Sequence, residues 1–528
     1  MGFSAPRFAA RPSVDDGARH PVIVVGGGLV GLTAALDLAQ RGIAVVVLDE
    51  DDTVSEGSRA ICFAKRTLEI FDRLGLGRRM REKGVQWNTG RVFRGAREVW
   101  HFDLLPEPGH ANPAFVNLQQ YYAEAWLVEA CLATGLVDLR WKHRVTLVEP
   151  GAEGVRLAVE TPFGVVGLVA DWLLACDGAR SFVRESLALP FTGQVFRDRF
   201  LIADVVMRAD FPPERWFWFD PPFHPGQSVL LHRQPDDVWR IDFQLGWDAD
   251  PESERQPERV RARVRTMLDA TVGPEAAFEL EWVSVYTFRC RRLERFRHGR
   301  IFFVGDSAHQ VSPFGARGGN GGVQDADNLG WKLALVLQGA APEALLDSYD
   351  AERIPAADEN ILHSTRATDF ITPKTAAARA YRDAALALAG EHAFARGFVN
   401  SGRLSRPCVL AGSPLSTDGG ASGLAPGTPV PDAPVLRDGV ATWLLAELGR
   451  DFTVLAFGDP AAAPEGAIVV SATPAPGVLW DHEGLAARRF GAEAGHVVLI
   501  RPDQHVAAHF DRFDAAALAE ARRRAMAA

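Results

Sequence analysis

The chain has 528 residues, of which 47% are hydrophobic and 23% charged, with a formal net charge of −10 and five cysteines. That length supports a large core and about two to four domains, and the acidic balance offers no basic surface for nucleic acid. Cys62, Cys131, Cys176, Cys290 and Cys408 are scattered, odd in number and without a Cys-x-x-Cys pair, which argues against a disulfide framework, a metal centre or a redox dithiol and fits a reducing cytoplasm.

Residues 1–20 carry Arg, Asp and Pro with no apolar centre, so a flexible tail is expected here and not a secretory signal. The most apolar run, residues 22–36, holds four glycines and is too short to span a bilayer, so no membrane partner is expected. Val22-Ile23-Val24-Val25 reads as a strand, Gly26-Gly27-Gly28-Leu29-Val30-Gly31 as a turn, 32–40 as a helix and 43–48 as a second strand ending at Asp49. In such a βαβ unit Gly26 allows the tight turn, Gly28 lets a pyrophosphate approach the backbone, and Gly31 lets helix and strand pack closely. The helix start, at Leu29 and Val30, presents N–H groups and a positive dipole end to that phosphate. Asp49, about 20 residues further on, suits a ribose hydroxyl.

Gly57 to Cys62 is followed by a helical pattern over 65–74, and 91–104 alternates as strands do. Asn117-Leu118-Gln119-Gln120 leads into an amphipathic helix over 121–133, with Gln120 and Glu124 in a Gln-x-x-x-Glu spacing. Residues 137–161 read as strands and turns, then 172–175 leads into Cys176-Asp177-Gly178-Ala179-Arg180-Ser181-Phe182-Val183-Arg184. From 191 to 288 the pattern is mostly β and rich in Trp and Phe, with one helix near 257–270. An aromatic-rich sheet could cover a planar apolar ligand.

The strand 300–304 enters Gly305-Asp306-Ser307-Ala308-His309, then Pro313-Phe314-Gly315-Ala316-Arg317-Gly318-Gly319-Asn320-Gly321-Gly322, and a helix is expected over 322–337. Residues 343–400 are Ala-rich and helical, 407–434 read as a linker, 452–457 and 497–503 as strands, and 515–527 as a helix.

The three Gly-containing motifs, in this order, resemble the single-component (class A) FAD-dependent aromatic hydroxylases of the para-hydroxybenzoate hydroxylase and phenol hydroxylase family. The resemblance spans about residues 20–370. It implies a mixed α/β fold: a Rossmann-like FAD-binding domain (21–75, 103–185 and 291–375), an inserted substrate-binding sheet (76–102 and 186–290), a helical connector (376–406) and a C-terminal domain (407–528). The Arg-Pro-Asp turn at 501–503 makes that last domain resemble the thioredoxin-like domain of the phenol hydroxylase branch, here without a dithiol.

By the same resemblance Gly26, Gly28, Leu29, Val30, Gly31 and Asp49 hold the ADP half of FAD, and Arg59 reaches its phosphates with a bidentate fork. Gln120, Asp177, Gly178, Gly305, Asp306, Gly318, Gly319 and Asn320 complete the cofactor set, and Pro313 faces the reaction site through its carbonyl. Where the family commonly has Gly-Gly-x-Gly-Met-Asn this chain has Gly-Ala-Arg-Gly-Gly-Asn, so Arg317 either adds a cation near the flavin or points to solvent. His309 is a candidate base or a structural histidine. Trp216, Trp218, His224, His232, Trp239 and Tyr286 are candidate substrate contacts.

The implied activity is hydroxylation of a phenolic substrate with O2 and NAD(P)H through a flavin C4a-hydroperoxide, with no metal. Baeyer–Villiger or epoxidising chemistry on a polycyclic metabolite is the alternative within the fold, and a flavin-binding protein without turnover is the alternative outside it. The Trp-x-Trp-x-Ile-Pro sequence of flavin halogenases is missing, since Trp216-Phe217-Trp218 lacks the Ile-Pro. NAD(P)H is expected to bind transiently, because no second nicotinamide-binding βαβ unit is visible, and a homodimer is left open.

Overall fold

The computed structural model describes residues 3–12, 16–57, 59–399 and 404–528. The apolar run Val22 to Val25 forms the inner half of strand β1 (Ala18–Val25), and these four residues are at most 7% exposed. A strand buried on both faces reads as a continuous apolar stretch, which is the signature of a parallel sheet. Helix α1 (Leu29–Gln40) follows the glycine turn and leads to β2 (Val45–Asp49), parallel to β1. Helices α2 (Lys65–Arg73) and α3 (Gln120–Ala133) pack around this unit, and β3 (Gly164–Ala175) lies parallel on the other side of β1. Val137–Trp141 extends the sheet beyond β2, and Ile301–Phe303 extends it beyond β3. All three FAD-like motifs therefore leave this one sheet at neighbouring strand ends, where ligands of open α/β sheets bind.

Residues 3–12 depart from the loose tail expected of them. Phe3 stacks on Tyr121 at 4.4 Å, Phe8 stacks on Trp141 at 4.5 Å, and Arg7 pairs with Asp52. Two aromatic anchors bury enough apolar area to order a short terminal segment. Met1, Gly2 and residues 13–15 of that tail lie outside the described residues.

The second sheet contains β4 (Phe191–Met207), β5 (Arg215–Phe219), β6 (Ser228–Arg233), β7 (Val238–Leu245) and β8 (Phe278–Leu293) in the spatial order β8-β4-β7-β6-β5. Thr89–Arg94 adds parallel to β5. Helix α4 (Pro257–Thr271) covers one face, where Leu201, Ala203, Val229, Leu231, Ile241 and Phe243 meet Val260, Val264 and Met267. The opposite face, with Phe200, Phe217, Phe219, Leu230 and Phe288, packs on Phe314 of the third motif.

Helix α5 (Gly318–Leu337) begins four positions before the expected start at Gly322, because Arg317 is its N-cap and the glycines form its first turn. Helix α6 (Ser348–Ile371) packs beside it, followed by Ala376–Glu391 and Ala393–Val399, while residues 400–403 of the expected connector lie outside the described residues. In the C-terminal part, Thr453–Phe457, Ile468–Ser471 and Leu479–Trp480 run parallel, with Val497–Ile500 and Val506–Phe510 antiparallel on the other side. Ala515–Ala525 closes this part as a helix. No helix among the described residues is long and apolar enough to cross a membrane.

Candidate FAD and substrate site

The glycines of the first motif divide by what a side chain would meet. Gly26 has φ +103°, and a Cβ there would stand 2.5 Å from the Cys176 carbonyl oxygen. At Gly31 a Cβ would stand 2.0 Å from the Gly26 carbonyl oxygen. Both lock the turn against β3. Gly28 is different: the nearest atom to a Cβ is Glu124 Oε1 at 3.6 Å, so the backbone here faces open space.

Glu124 was not expected to take part beyond its spacing from Gln120. It is 1% exposed, and its carboxylate accepts from Leu29 N–H at 3.0 Å, Ser55 N–H at 2.7 Å and Gln120 Nε2 at 2.7 Å. Gln120 Oε1 in turn accepts from Ala60 N–H at 3.0 Å. The Gln-x-x-x-Glu pair thus ties the backbone on both sides of Arg59, at Ser55 and Ala60, to the start of α1. Asp49 accepts from Gly27 N–H at 2.5 Å and Asp51 N–H at 2.8 Å. Burial pushes its carboxyl up to about 6, against the lowering effect of those two N–H groups. Val30 wedges under the third motif, with a methyl 3.2 Å from the Cβ position of Gly305.

The second motif holds itself and the third. Asp177 accepts from Val183 N–H at 2.9 Å, and its other oxygen is buried without a partner. Gly178, at φ +74°, takes a left-handed turn that an L side chain would strain. Arg184 donates to the Ser307 carbonyl at 3.1 Å and to the Ala179 carbonyl at 3.0 Å. Gly305 N–H donates to Asp325 at 3.1 Å. Asp306 next to it accepts no hydrogen bond from any described residue. A Cβ on Gly318 would be 3.9 Å from its Oδ1. Burial pushes the Asp306 carboxyl up, while His309 and Arg59 pull it down. The Arg59 side chain is exposed and has no hydrogen-bond partner among the described residues. An open glycine backbone at a helix N-terminus, an unpartnered carboxylate and an exposed guanidinium that acts on that carboxylate fit a dinucleotide with a polyol arm.

Four residues of the third motif have protein partners that the sequence did not reveal. His309 is 2% exposed, and its Nε2 pairs with Asp325 at 2.6 Å, which also accepts from Arg353 Nε at 2.6 Å. This buried cluster makes it a scaffold histidine: Asp325 holds Nε2, and Nδ1 is buried without a partner among the described residues. Arg317 goes neither to solvent nor out over the loop: it is 6% exposed and folds back to donate to the Phe314 carbonyl at 2.8 Å. The Asn320 side chain is spent on protein, accepting from Ala64 N–H at 2.9 Å and donating to the Cys62 and Ala316 carbonyls at 2.8 and 2.6 Å. The exposed Pro313 accepts from Ala316 N–H at 3.1 Å in the turn before α5. Gly319 faces Ala60, whose Cβ would be 3.3 Å from a Cβ at this position.

Strand register separates the substrate candidates. Trp218 and Trp239 are 3% and 1% exposed in the core under α4, with Trp216 packed beside them. His224 Nε2–H donates to the Gln244 carbonyl, 2.7 Å away, and its ring meets Phe243 of the same core. These four lie on the far side of the sheet from the three motifs, because successive strand residues point to opposite faces. His232 and Tyr286 are on the near side. His232 Nδ1 is 4.0 Å from Cys62 Sγ, and Tyr286 is 46% exposed, with its hydroxyl raised by burial and by Asp306.

Sequence reading missed the neighbours of His232. Arg215 pairs across from it by register, since Trp216 is opposite Leu231, and Arg240 faces it on β7. Arg240 donates to Asp242 at 2.8 Å and to the Arg59 carbonyl at 3.0 Å. The signal available was parity, with charged residues recurring at alternate positions of otherwise apolar strands.

The FAD binding domain family matches residues 19–364. The 6-methylpretetramide 4-monooxygenase of Streptomyces rimosus is 33% identical over 526 residues, covering 93% of this chain and 91% of that protein. Para-nitrophenol 4-monooxygenase of Pseudomonas sp. (strain WBC-3) is 30% identical over 343 residues, covering 63% of this chain and 82% of that protein. Among solved structures, the flavin-dependent monooxygenase PieE in complex with FAD and substrate aligns with a TM-score of 0.83 at 25% identity, covering 96% of this chain and 99% of that one. The chain belongs to the FAD binding domain family, among the FAD-dependent aromatic hydroxylases and monooxygenases.

Proposed function

We propose that the protein hydroxylates a phenolic ring of a fused-ring substrate, using O2 and NAD(P)H in a cytoplasmic setting. The observation that carries this reading is the contact of the second sheet with the third motif: Phe200 and Phe288 meet Phe314 edge-on at 5.1 and 5.2 Å. An apolar aromatic wall thereby adjoins the Gly-rich loop, as exclusion of water from an oxygen-transfer site requires. The full-length relative from Streptomyces rimosus, a 6-methylpretetramide 4-monooxygenase by name, supports a fused-ring ligand.

The chemistry that FAD supplies when bound is activation of O2 to an electrophilic oxygen donor, with electrons from NAD(P)H. Overall, one ring C–H becomes C–OH, the second oxygen atom leaves as water, and NAD(P)H is oxidised. In this reading Gly28 leaves room for the pyrophosphate at α1, Asp49 accepts ribose hydroxyls, Arg59 neutralises phosphate charge and Asp306 accepts ribityl hydroxyls. The N–H groups of Gly318 and Gly319, in the first turn of α5, would stabilise negative charge on the ring. Asn320 positions that turn, and Pro313 offers its carbonyl at the ring edge. His232 and Tyr286 contact substrate.

Arg184 and Arg291 both lie over Phe191, at 4.2 and 4.8 Å, and Arg289 beside them depresses the basicity of each after burial has done so. A cluster of like charges beside the second motif suits the phosphates of NAD(P)H. The C-terminal strand order is compatible with a thioredoxin-like unit of structural purpose.

The test is NAD(P)H consumption by the FAD-loaded protein over a panel of naphthols and hydroxylated anthracenes, with products identified by mass. Substrate-stimulated consumption with gain of one oxygen is expected. Consumption indifferent to every phenol would overturn the reading.

A further inference from the structure

Residues 50–57 lead from Asp49, at the end of β2, towards Arg59, and so connect the two residues that in the proposed reading serve the ribose and the phosphates of FAD. Asp49, Glu50, Asp51, Asp52 and Glu56 place five carboxylates on this short stretch. Its second half is fixed by the body of the protein. Ser55 N–H donates to Glu124 at 2.7 Å, and the Trp282 indole fills the space beside Gly57, where a Cβ would stand 2.4 Å away. The first half is held by Lys142, whose N–H donates to the Asp51 carbonyl at 2.9 Å, and by the N-terminal tail.

The tail grips that first half by backbone and side chain together. Arg7 bridges Thr53 in antiparallel fashion, pairs with Asp52 and donates to Glu56 at 3.0 Å, and Phe8 N–H donates to the Asp52 carbonyl at 2.7 Å. The Phe8 ring lies on Trp141 with 7° between the planes, and Trp141 is the register partner of Asp49. Phe3 stacks on Tyr121, beside the Gln120 that holds Ala60. The Arg7 side chain is 65% exposed, where an ion pair adds little to the stability of a fold. Its effect is on the loop. With Lys142 Nζ at 2.8 Å it puts a second cation on Asp52, in a run of carboxylates that would otherwise repel a diphosphate.

We propose that residues 3–12 form a strap that holds loop 50–57 in the shape that accepts the adenosine diphosphate half of FAD, with Arg7 and Phe8 as its positioning residues. A loop that samples other shapes binds more weakly in proportion to the time it spends in them, and a strap removes that loss. The coupling is reciprocal: if the docked tail tightens FAD, then FAD tightens the docking of the tail by the same factor. This rests on the reading of Asp49 and Arg59 as contacts of the ADP half and is independent of the substrate.

The test compares the full-length parent with a double variant, Arg7→Gln with Phe8→Ala, both stripped of flavin and titrated with FAD, and with ADP through its competition against FAD. Both ligands should bind the variant more weakly by about fivefold or more, the combined scale of one aromatic stack and one exposed ion pair. In the parent, hydrogen exchange of the segment that contains Phe8 should slow when FAD or ADP is added, by the factor found in the titrations. A tail that only supports the fold would exchange at one rate with and without ligand. Unchanged FAD affinity in the variant, a loss for FAD that ADP does not share, or exchange at Phe8 indifferent to FAD would each overturn the proposal. Should the variant not fold, the exchange measurement on the parent decides alone. Failure of the underlying site reading looks different: Gly28→Val would then bind ADP as the parent does.

Discussion

Arg501, in the turn after Val497–Ile500, donates to both oxygens of Glu352 on α6, at 2.5 and 3.0 Å. Lys332 of α5 reaches the same carboxylate at 2.6 Å, Asp503 accepts from Arg501 Nε at 3.0 Å, and Arg66 of α2 donates to the Asp503 carbonyl at 2.5 Å. The side chains of Arg501, Glu352, Lys332 and Asp503 are fully buried. The C-terminal sheet is thereby fastened to α2, α5 and α6.

Breaking that cluster should be severe. Glu352→Gln leaves two buried cations short of an anion, and removal of one partner from a buried pair costs about 3–5 kcal/mol. Burial alone would raise the Glu352 carboxyl, but Arg501 and Lys332 hold it well below the usual range. Its folded value lies under its unfolded value of about 4.3, so the stability it contributes is present above that pH and is lost as pH falls from there through the lower folded value. Thermal melting should show a large drop for Glu352→Gln at pH 7 and a shallower acid limb than the parent.

Gly28→Val should fold and lose FAD. The glycine faces open space, with only Glu124 Oε1 within 4 Å of a Cβ, so the chain tolerates the added atoms while a pyrophosphate would not. Retention of the flavin spectrum after gel filtration would show that this backbone is not the phosphate seat.

Affinity for FAD should rise with pH through about 6. Burial raises the Asp49 carboxyl to about 6, and the ionised form is the one that accepts ribose hydroxyls. Without cofactor the folded value exceeds the unfolded value of about 3.9, so the penalty for ionising it is absent at low pH and grows towards 6. Below 6 the association constant should fall by up to about tenfold per pH unit for this one group. Asp49→Asn should flatten the slope near 6. Asp306, raised in the same direction, should leave a residual slope.

The two faces of the second sheet should separate in kinetics. Trp239→Phe, in the core under α4, should lower the melting temperature with KM nearly unchanged, since Phe-sized core truncation costs stability by cavity formation. Tyr286→Phe, on the exposed motif-facing side, should alter KM or product yield with little effect on melting. The reverse pattern would return the tryptophans to the substrate site.

Substrate should accelerate reduction of the flavin by NAD(P)H. With the half-exposed Arg291 beside the second motif and the aromatic wall at Phe288 within, a ring serving both must move between exposed and shielded positions. The loop at Gly315, φ +95°, and Ala316, φ +53°, holds two successive left-handed residues and has the backbone character for such movement. Stopped-flow reduction with and without a turnover substrate reads this directly, and equal rates would discount the coupling.

Much of this was legible without coordinates. The first turn, the Asp-Gly and Gly-Asp motifs and the strands before them depend on local needs: left-handed or Cβ-free positions at Gly26, Gly178 and Gly305, and an apolar run for a buried parallel strand. Those needs write themselves into residue type at short spacing. The family and its cofactor followed from three such patterns in order.

The faces did not. Whether Trp239 or Arg240 looks towards the motifs is set by one step of register in a strand whose two sides are both covered, so its alternation of apolar and charged residues does not say which side meets the motifs. Likewise His309 was a base or a scaffold residue until Asp325 and Arg353 were brought to it, and Arg317 until its fork closed on Phe314. The local chain conformations needed only neighbours in sequence. The partners of each charge were decided by contacts between residues far apart in the chain, which only the folded packing supplies.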